Sequence, residues 1–382
     1  EGRADGRAIR SSAVAVDRTE LSQVVERLTG TSALGRWRSG KIYDPVASAT
    51  AGLWRVQGGD WSVVLKVVHH GREGHPNWMA GADEDHWAYW KREVLAYRSG
   101  LPDALSGGLR GPHCLGIFDR PDGSVALWLE DAGRGTPATS WTLDAYGAGA
   151  HHLGRAQGAL ALADPVPDET WFSRDWLRAY LTQRDGDMHL LSDPTVWAWP
   201  LVGNHVSRQW MEPMRDMRAH QPELLEILDA VPVTVCHHDL HPANLFTVDD
   251  TTVLIDWASV GGGPLGADAA VLVADAVLDF HVAPEEFDPL FEAVRSGYAR
   301  GLGEAGWSGP VDAVTRAINA TLGARYAWIG PALLGAVVAE RSTMNRRPLA
   351  EAVDWWARTI PYLLDHGAEA VGTGTGQGPR VR

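Results

Sequence analysis

Two polar segments on either side of a short apolar stretch constrain the fold of this chain more than any other feature. Residues 237–244 read His-His-Asp-Leu-His-Pro-Ala-Asn, and residues 255–257 read Ile-Asp-Trp. Between them, residues 245–248 and 252–255 have the composition of short apolar strands, and Asp249-Asp250-Thr251 is typical of a turn. The sequence therefore predicts a β-hairpin that brings both polar segments to the same end.

The predicted hairpin gathers three side chains that suit phosphate chemistry. Antiparallel pairing would place Asn244, just before the first strand, beside Asp256, just after the second. An amide oxygen next to a carboxylate suits a hard cation such as Mg²⁺, which takes the rest of its shell from water and substrate phosphates. Asp239 lies in the loop at the same end and could accept a proton from an attacking hydroxyl. Asp and Asn are also common turn formers, but three at this spacing favour a phosphoryl-transfer site.

The charge of the chain limits its partners. It has 382 residues and a formal net charge of −14, which argues against nucleic acid or an anionic membrane, because both need a basic surface. Cys114 and Cys236 cannot form a disulfide framework and lack metal-site spacing. No apolar stretch is long enough to cross a bilayer, and the first residues lack a signal-peptide core, so we expect a cytoplasmic location.

The order of strand and helix patterns predicts an α+β protein with two lobes. Residues 1–129 hold most of the predicted strands and are expected to form a small, β-rich, nucleotide-binding N-lobe. Residues 130–137 are polar and contain Gly and Pro, as is typical of a hinge. Residues 130–371 are mainly helical in pattern and are predicted to hold the substrate pocket. Residues 372–382 are predicted to be a disordered tail.

A lysine inside an apolar strand of the N-lobe indicates a partner or a ligand. Lys66 lies in the strand-like segment 63–68, where an unpaired buried charge is costly. Glu93, at the edge of the apolar stripe of a helix predicted over residues 85–99, is the expected partner. The pair could hold the ammonium group over nucleotide phosphates. The alternative is that both side chains are exposed to solvent.

Two further nucleotide contacts are expected from the backbone. Ser48 begins a loop of small residues whose N–H groups could approach phosphates, although a simple β-turn explains the loop equally well and no GxGxxG or Walker sequence is present. Backbone groups near residues 129–132, including Glu130 and Ala132, are expected to contact the adenine.

These motifs resemble a known family. The pattern His237-x-Asp239-x4-Asn244, followed by Ile255-Asp256-Trp257, resembles the aminoglycoside phosphotransferase and choline kinase branch of the protein-kinase-like fold. The intervals agree over roughly residues 35 to 280. Trp257 stands where protein kinases have Phe-Gly, and the chain has neither an Ala-Pro-Glu segment nor a Gly-rich phosphate loop. These departures favour a small-molecule kinase over a protein kinase.

The resemblance implies a role for each matched residue. Asp239 would be the catalytic base or would orient the acceptor hydroxyl. Asn244 and Asp256 would bind Mg²⁺. Lys66 would hold the phosphates of the nucleotide, and Glu93 would position Lys66.

The resemblance also implies supporting roles. His237 would brace the loop, and Asp268 would be a helix cap that stiffens the site. His241 would either contact phosphate or pack against its neighbours, and the sequence does not decide between these two interpretations.

The predicted function is ATP- and Mg²⁺-dependent O-phosphorylation of a small hydroxylated molecule. An antibiotic such as an aminoglycoside is the first candidate, and a sugar or amino-alcohol metabolite is the second. Two alternatives remain: a catalytically silent nucleotide-binding protein, and a zinc hydrolase site formed by His237, His238, Asp239 and His241. The zinc alternative lacks the spacing of known zinc motifs and leaves Lys66 unexplained. The sequence sets neither the acceptor nor the oligomeric state.

Overall fold

The computed structural model divides the chain into two compact units. The first contains the described residues up to Ala82 together with His113–Asp131, and the second contains Asp83–Pro112 and the described residues from Ala132 onward. The residues that the structure describes are 16–43, 49–71, 79–163, 168–184 and 186–372. Ser48 and, apart from Gly372, the predicted disordered tail lie outside the described residues.

In its described residues, the first unit contains a five-stranded antiparallel sheet and one helix. The strand order is β1-β2-β3-β6-β5. Its elements are α1 (Arg18–Thr29), β1 (Arg38–Tyr43), β2 (Thr50–Gln57), β3 (Ser62–Val68), β5 (Cys114–Asp119) and β6 (Val125–Glu130). The apolar face of α1, formed by Leu21, Val24 and Val25, is buried in one core cluster with Val63 and Leu65 of β3. Burial of these branched side chains holds the helix on the sheet.

The second unit is mainly helical and carries short strand pairs. Its strands are β4 (Leu109–Arg110), β7 (Thr136–Pro137), β8 (Val233–Cys236), β9 (Leu245–Val248), β10 (Thr251–Leu254), β11 (Gly261–Pro264), β12 (Thr343–Met344) and β13 (Arg347–Pro348). Its helices are α2 (Arg92–Arg98), α3 (Leu101–Ala104), α4 (Leu143–Ala163), α5 (Trp176–Leu181), α6 (Pro200–His205), α7 (Met211–Ala219), α8 (Gln221–Asp229), α9 (Ala267–Leu278), α10 (Phe287–Glu304), α11 (Val311–Tyr326), α12 (Ile329–Val338) and α13 (Leu349–Ala370). The predicted α+β class is confirmed. No helix in the described residues is long and apolar enough to cross a membrane.

The predicted hairpin forms with a tighter turn than expected. Strands β9 and β10 pair antiparallel, with Leu245 opposite Leu254 and Val248 opposite Thr251. The turn is only Asp249-Asp250, whose φ angles of 46° and 60° are both positive. Two consecutive positive φ values give a turn whose twist matches that of the flanking strands, so Thr251 joins the strand.

Helix α2 is shorter than predicted because an arginine captures the carbonyl groups before it. The sequence predicts a helix over residues 85–99, but α2 begins at Arg92. The guanidinium of Arg92 is fully buried and donates to the carbonyl oxygens of His86 at 2.7 Å and of Trp87 at 2.6 Å. The carbonyl of Trp87 is thus satisfied by the side chain of Arg92, and that of His86 accepts both from Arg92 and from the backbone N–H of Tyr89 at 3.0 Å.

Glycines allow helices α4 and α10 to approach closely. A Cβ atom at Gly301 would overlap the carbonyl oxygen of His151 and the backbone nitrogen of Arg155, and one at Gly154 would overlap the carbonyl oxygen of Tyr298. These obstacles are backbone atoms, which cannot rotate away. The two helices are therefore in contact at a distance that only glycine permits at these positions.

We predict that Gly301→Ala lowers the free energy of unfolding by about 1–3 kcal/mol, because the added methyl group forces the two helices apart. Gly303→Ala is the matched control in the same helix, where a Cβ would meet nothing within 4 Å. It should leave stability unchanged or raise it by about 0.5 kcal/mol through helix propensity. Urea unfolding followed by circular dichroism measures both, and equal stability of the two variants would contradict this account.

Candidate active site

One buried carboxylate fixes the segment that carries the predicted site residues, residues 237–244, here called the motif loop. Asp268 is 1% exposed and accepts hydrogen bonds from the backbone N–H groups of His237 at 2.7 Å and of His238 at 2.9 Å. It also accepts from Gln157 Nε2 at 2.9 Å. Burial raises the pKa of Asp268, and the hydrogen bonds from the two backbone N–H groups act in the opposite direction without outweighing it.

The predicted cap role of Asp268 is wrong, although its predicted effect on the site fits the structure. Asp268 is the second residue of α9, whose N-cap is Gly266 with no side-chain hydrogen bond. Its carboxylate instead reaches the motif loop. A charge-assisted bond to a backbone N–H is roughly twice as strong as a neutral one, so two of them restrict the loop strongly.

The imidazoles of His237 and His238 bind carbonyl groups rather than a metal. His237 Nε2 lies 3.1 Å from the carbonyl oxygen of Ile255, and His238 Nε2 lies 3.1 Å from that of Gly262. Burial lowers the pKa of both rings, that of His238 to about 3. Because a carbonyl oxygen only accepts, the ring nitrogen that faces it is the donor in both residues. In the part of the chain that the structure describes, no group of three or more His, Cys, Asp or Glu side chains could hold a metal ion, so the zinc alternative has no support there.

The motif loop and the hairpin bring Asp239, Asn244 and the backbone before Asp256 together. Asn244 is 6% exposed, and its Nδ2 donates to the carbonyl oxygen of Asp239 at 2.9 Å and to Asp239 Oδ2 at 3.2 Å. The backbone nitrogen of Ile255 donates to the carbonyl oxygen of Asn244 at 2.9 Å. Because Nδ2 is committed to Asp239, the amide plane of Asn244 is fixed and its Oδ1 is presented as an acceptor.

The backbone of Asp256 is strained. Its φ of 65° and ψ of 66° lie in the left-handed region, which is unfavourable for residues other than glycine. Such outliers concentrate at functional sites, where the surrounding structure imposes them. Here the hairpin on one side and the buried Trp257 on the other, whose Nε1 donates to the carbonyl oxygen of Leu254 at 2.8 Å, hold Asp256 in place.

Two acidic residues that the sequence analysis missed lie next to the motif loop. His241 Nε2 is 3.8 Å from Asp239 Oδ2, and His241 Nδ1 is 3.7 Å from Asp279 Oδ2. Burial lowers the pKa of His241, but the charges of Asp239, Asp279 and Asp275 outweigh it and the net shift is upward. Burial, followed by repulsion from Asp279, raises the pKa of Asp275 to about 7. Spacings of seven and eleven residues from Asp268 put Asp275 and Asp279 near its face of the helix.

The predicted nucleotide residues occupy different parts of the chain. Lys66 is 6% exposed in β3 of the first unit, and Glu93 is 2% exposed in α2 of the second unit. The alternative of solvent exposure is therefore wrong for both. Glu130 ends β6, and its backbone nitrogen donates to the carbonyl oxygen of His113 at 3.0 Å. Ala132 is buried at the start of a short 3-10 helix.

Asp131, which lies between those two residues, was also missed. Its carboxylate accepts from Arg55 Nε at 2.8 Å and from Ser62 Oγ at 2.5 Å. It is 6% exposed. Both partners come from the sheet of the first unit, so this aspartate ties the end of β6 to β2 and β3.

Comparison with known proteins gives one family and a set of similar folds. The model of the phosphotransferase enzyme family matches residues 51–309. A choline kinase from Cryptosporidium parvum Iowa II aligns with a TM-score of 0.54 at 14% identity, covering 93% of this chain and 97% of that chain. An amicoumacin kinase in complex with AMP-PNP and Ca²⁺ aligns with a TM-score of 0.51 at 14% identity, covering 88% and 92%.

A choline/ethanolamine kinase family protein from Mesorhizobium loti gives a TM-score of 0.51 at 12% identity, with 94% of this chain and 98% of that chain covered. The comparison with curated proteins gave no match. At these identities the similarity shows the fold, and it confirms the predicted protein-kinase-like architecture.

We predict that His238 makes the protein sensitive to acid. Its pKa is about 3 when folded and about 6.5 when unfolded. Below the unfolded value the unfolded chain binds a proton that the native state does not, so stability falls as pH decreases. By pH 5 this group alone should lower the free energy of unfolding by about 2 kcal/mol relative to pH 7.5.

Urea unfolding at both pH values tests this prediction with His238→Gln, which removes the titrating ring. The variant should lose less stability between pH 7.5 and pH 5 than the wild type does. The exposed His189→Gln is the control and should behave as the wild type. An unchanged pH dependence in His238→Gln would show that another group is responsible.

Proposed function

Because the chain belongs to the phosphotransferase enzyme family and is a small-molecule kinase, we propose that it transfers the γ-phosphoryl group of ATP to a hydroxyl group with the help of Mg²⁺. The observation that carries the proposal is the arrangement of the motif loop, in which Asn244 holds Asp239 by hydrogen bonds at 2.9 and 3.2 Å. Asp268 fixes the backbone of the same loop. A preorganised carboxylate of this kind is what direct phosphoryl transfer requires.

Asp239 is the proposed catalytic residue. Its side chain is 36% exposed, so that an acceptor can reach it. It would orient the acceptor hydroxyl and take up its proton as the new oxygen–phosphorus bond forms and ADP leaves. No covalent phosphoenzyme is needed, because the acceptor oxygen is itself the nucleophile.

Asn244 and Asp256 are the proposed Mg²⁺ ligands, and their chemistry fits the ion. Both offer oxygen, which is the ligand that Mg²⁺ prefers. The Oδ1 of Asn244 is presented by the bonds of its Nδ2 to Asp239. When bound, the ion supplies charge neutralisation at the phosphates.

The proposal extends to the nucleotide. Residues 1–129 would be the nucleotide-binding lobe and residues 130–371 the lobe with the acceptor pocket. Lys66 would bind the phosphates, with Glu93 as the residue that positions it. Ser48, Glu130 and Ala132 would contribute backbone contacts.

The proposed acceptor is a small hydroxylated molecule. An antibiotic such as an aminoglycoside is the first candidate, which would make the enzyme a resistance factor, and a sugar or amino alcohol is the second. The carboxylates of Asp275 and Asp279 beside His241 support an acceptor that carries an amine. Solved structures with a similar fold include an amicoumacin kinase and a choline kinase. A cytoplasmic location, where ATP is available, is part of the proposal.

We predict that Asp239→Asn lowers kcat by about 10²- to 10⁴-fold, because the amide cannot accept the hydroxyl proton. The affinity for ATP should change little. ADP release against panels of antibiotics, sugars and amino alcohols measures turnover, and titration calorimetry measures ATP binding. Asp249→Asn, in the exposed hairpin turn, is the matched control. A wild type that binds ATP but transfers phosphate to no hydroxyl compound would favour the catalytically silent alternative.

We predict that Asn244→Ala raises the Mg²⁺ concentration needed for half-maximal activity by about 10-fold or more, because one oxygen ligand is lost. The exposed Asn204→Ala is the control and should leave the Mg²⁺ dependence unchanged. The readout is ADP release across a Mg²⁺ titration at saturating ATP. An unchanged Mg²⁺ requirement in an otherwise active Asn244→Ala would remove this residue from the metal site.

A further inference from the structure

An aromatic cluster in the second unit contains buried donors that have no acceptor among the described residues. The cluster consists of Trp176 and Tyr180 in α5, Arg184 just after it, Arg325 and Tyr326 at the end of α11, and Trp328 just before α12. Trp176 Nε1, Trp328 Nε1 and Arg325 Nε are buried there without a hydrogen-bond partner in the described residues. Buried donors are nearly always satisfied in native proteins, so several in one cluster indicate that something completes them.

Arg325 is the most unusual member of this cluster. It is 5% exposed, and its Cζ lies 4.9 Å from the ring centre of Trp176 and 5.1 Å from that of Tyr180. No hydrogen bond or ion pair joins its guanidinium to a described residue. Burial lowers its pKa, but the charges of neighbouring groups, Asp275 and Asp239 among them, outweigh this effect. The side chain therefore remains a cation without a directly bound anion.

A second buried arginine shows how this chain satisfies a purely structural guanidinium. Arg92 is fully buried, and its Nε, Nη1 and Nη2 donate to the carbonyl oxygens of Trp171, Trp87 and His86 at 2.8, 2.6 and 2.7 Å. Arg325 has an equally buried position and none of these bonds within the described residues. The contrast argues against a structural role for Arg325, because stacking on rings satisfies none of its N–H donors.

The aromatic cluster is directly connected to the motif loop. The ring of Trp176 stacks on the imidazole of His238 at 4.8 Å with an interplanar angle of 7°. His238 immediately precedes Asp239. Tyr326, which follows Arg325 in the sequence, donates its hydroxyl to Asp275 Oδ1 at 2.8 Å. Arg325 is therefore linked to the motif loop through Trp176 and His238, and the charge of Asp239 acts on its pKa.

We propose that Arg325 binds a carboxylate of the phosphoryl acceptor, so that the enzyme selects hydroxylated acids. This inference rests on the proposed function and moves its acceptor class from the aminoglycosides, which carry no carboxylate, to hydroxylated acids. A guanidinium offers a planar fork of N–H donors that matches the two oxygens of a carboxylate. The rings of Trp176 and Tyr180 lie against this fork at 4.9 and 5.1 Å, and the indole nitrogen of Trp176 is a further buried donor in the same cluster. Asp275 and Asp279 then accommodate an amine, if the acceptor is zwitterionic.

Matched pairs of acceptors test the proposal. Homoserine is compared with 3-aminopropanol, in which hydrogen replaces the carboxylate, and glycerate with glycerol and gluconate with sorbitol, in which a hydroxymethyl group replaces it. The wild type should favour the acid by about tenfold or more in kcat/KM, since a site built for a polar group discriminates against analogues that lack it. A preference for the neutral or cationic member of each pair would overturn the proposal.

Substitutions at position 325 separate recognition from folding. Arg325→Met keeps the volume and removes the charge, which is usually tolerated in a core, and it should abolish the preference for the acid through KM. Arg325→Lys should restore part of it. Arg184→Met is the matched control, because Arg184 stacks on the same Tyr180 ring at 4.6 Å, and it should keep the preference. If Arg325→Met lowers kcat/KM equally for both members of a pair, Arg325 has a structural role.

Binding without turnover distinguishes this inference from the proposed function. Malonate is the carboxylate probe, and thermal unfolding reports its binding. Malonate should raise Tm in the wild type, in Arg184→Met and in Asp239→Asn, but not in Arg325→Met. If malonate stabilises the protein through Arg325 but the protein has no transferase activity, the proposed function is refuted and the role of Arg325 is not. If malonate raises Tm in neither the wild type nor Arg325→Met, or raises it equally in both, the role of Arg325 is refuted.

Discussion

The pair of hydrogen bonds from consecutive backbone N–H groups to the carboxylate of Asp268 is the interaction on which the site depends. It turns a loop without regular structure into a fixed support for Asp239. The carboxylate is itself held by Gln157 of α4, whose Oε1 accepts from the hydroxyl of Tyr298 in α10 at 2.7 Å. That chain of bonds requires α4 and α10 to be close, and the glycines along their contact provide this closeness. The contact between α4 and α10, the buried polar network and the geometry of the motif loop therefore depend on one another.

The parts of the site that were predictable from the sequence are those fixed by local chain geometry. Asn244 and Asp256 are close because they flank two short strands with a turn of aspartates between them. The turn was predicted one residue too long, because composition does not reveal that Asp249 and Asp250 both adopt positive φ. The burial of Lys66 and Glu93 was left open, because a charged residue in an apolar pattern fits either an exposed or a buried position.

Long-range contacts account for what the sequence did not show. Asp279 is one of many acidic residues in the chain, and only the fold brings it within 3.7 Å of His241. The start of α2 depends on the carbonyl groups that the guanidinium of Arg92 binds. One of them, that of Trp171, lies far along the chain. Arg325 shows the same limit. Nothing in the sequence around it indicates that its Nε is buried without a hydrogen-bond partner among the described residues.

Asp256 has a consequence for how this protein can change over time. A glycine there would relax the left-handed backbone and add roughly 1 kcal/mol of stability, but it would remove the carboxylate. Under the proposed role of Asp256, this gain in stability would therefore come at the expense of a metal ligand. If Asp256 holds the metal as proposed, a homologue with glycine at this position would keep the fold and lose the metal-dependent reaction.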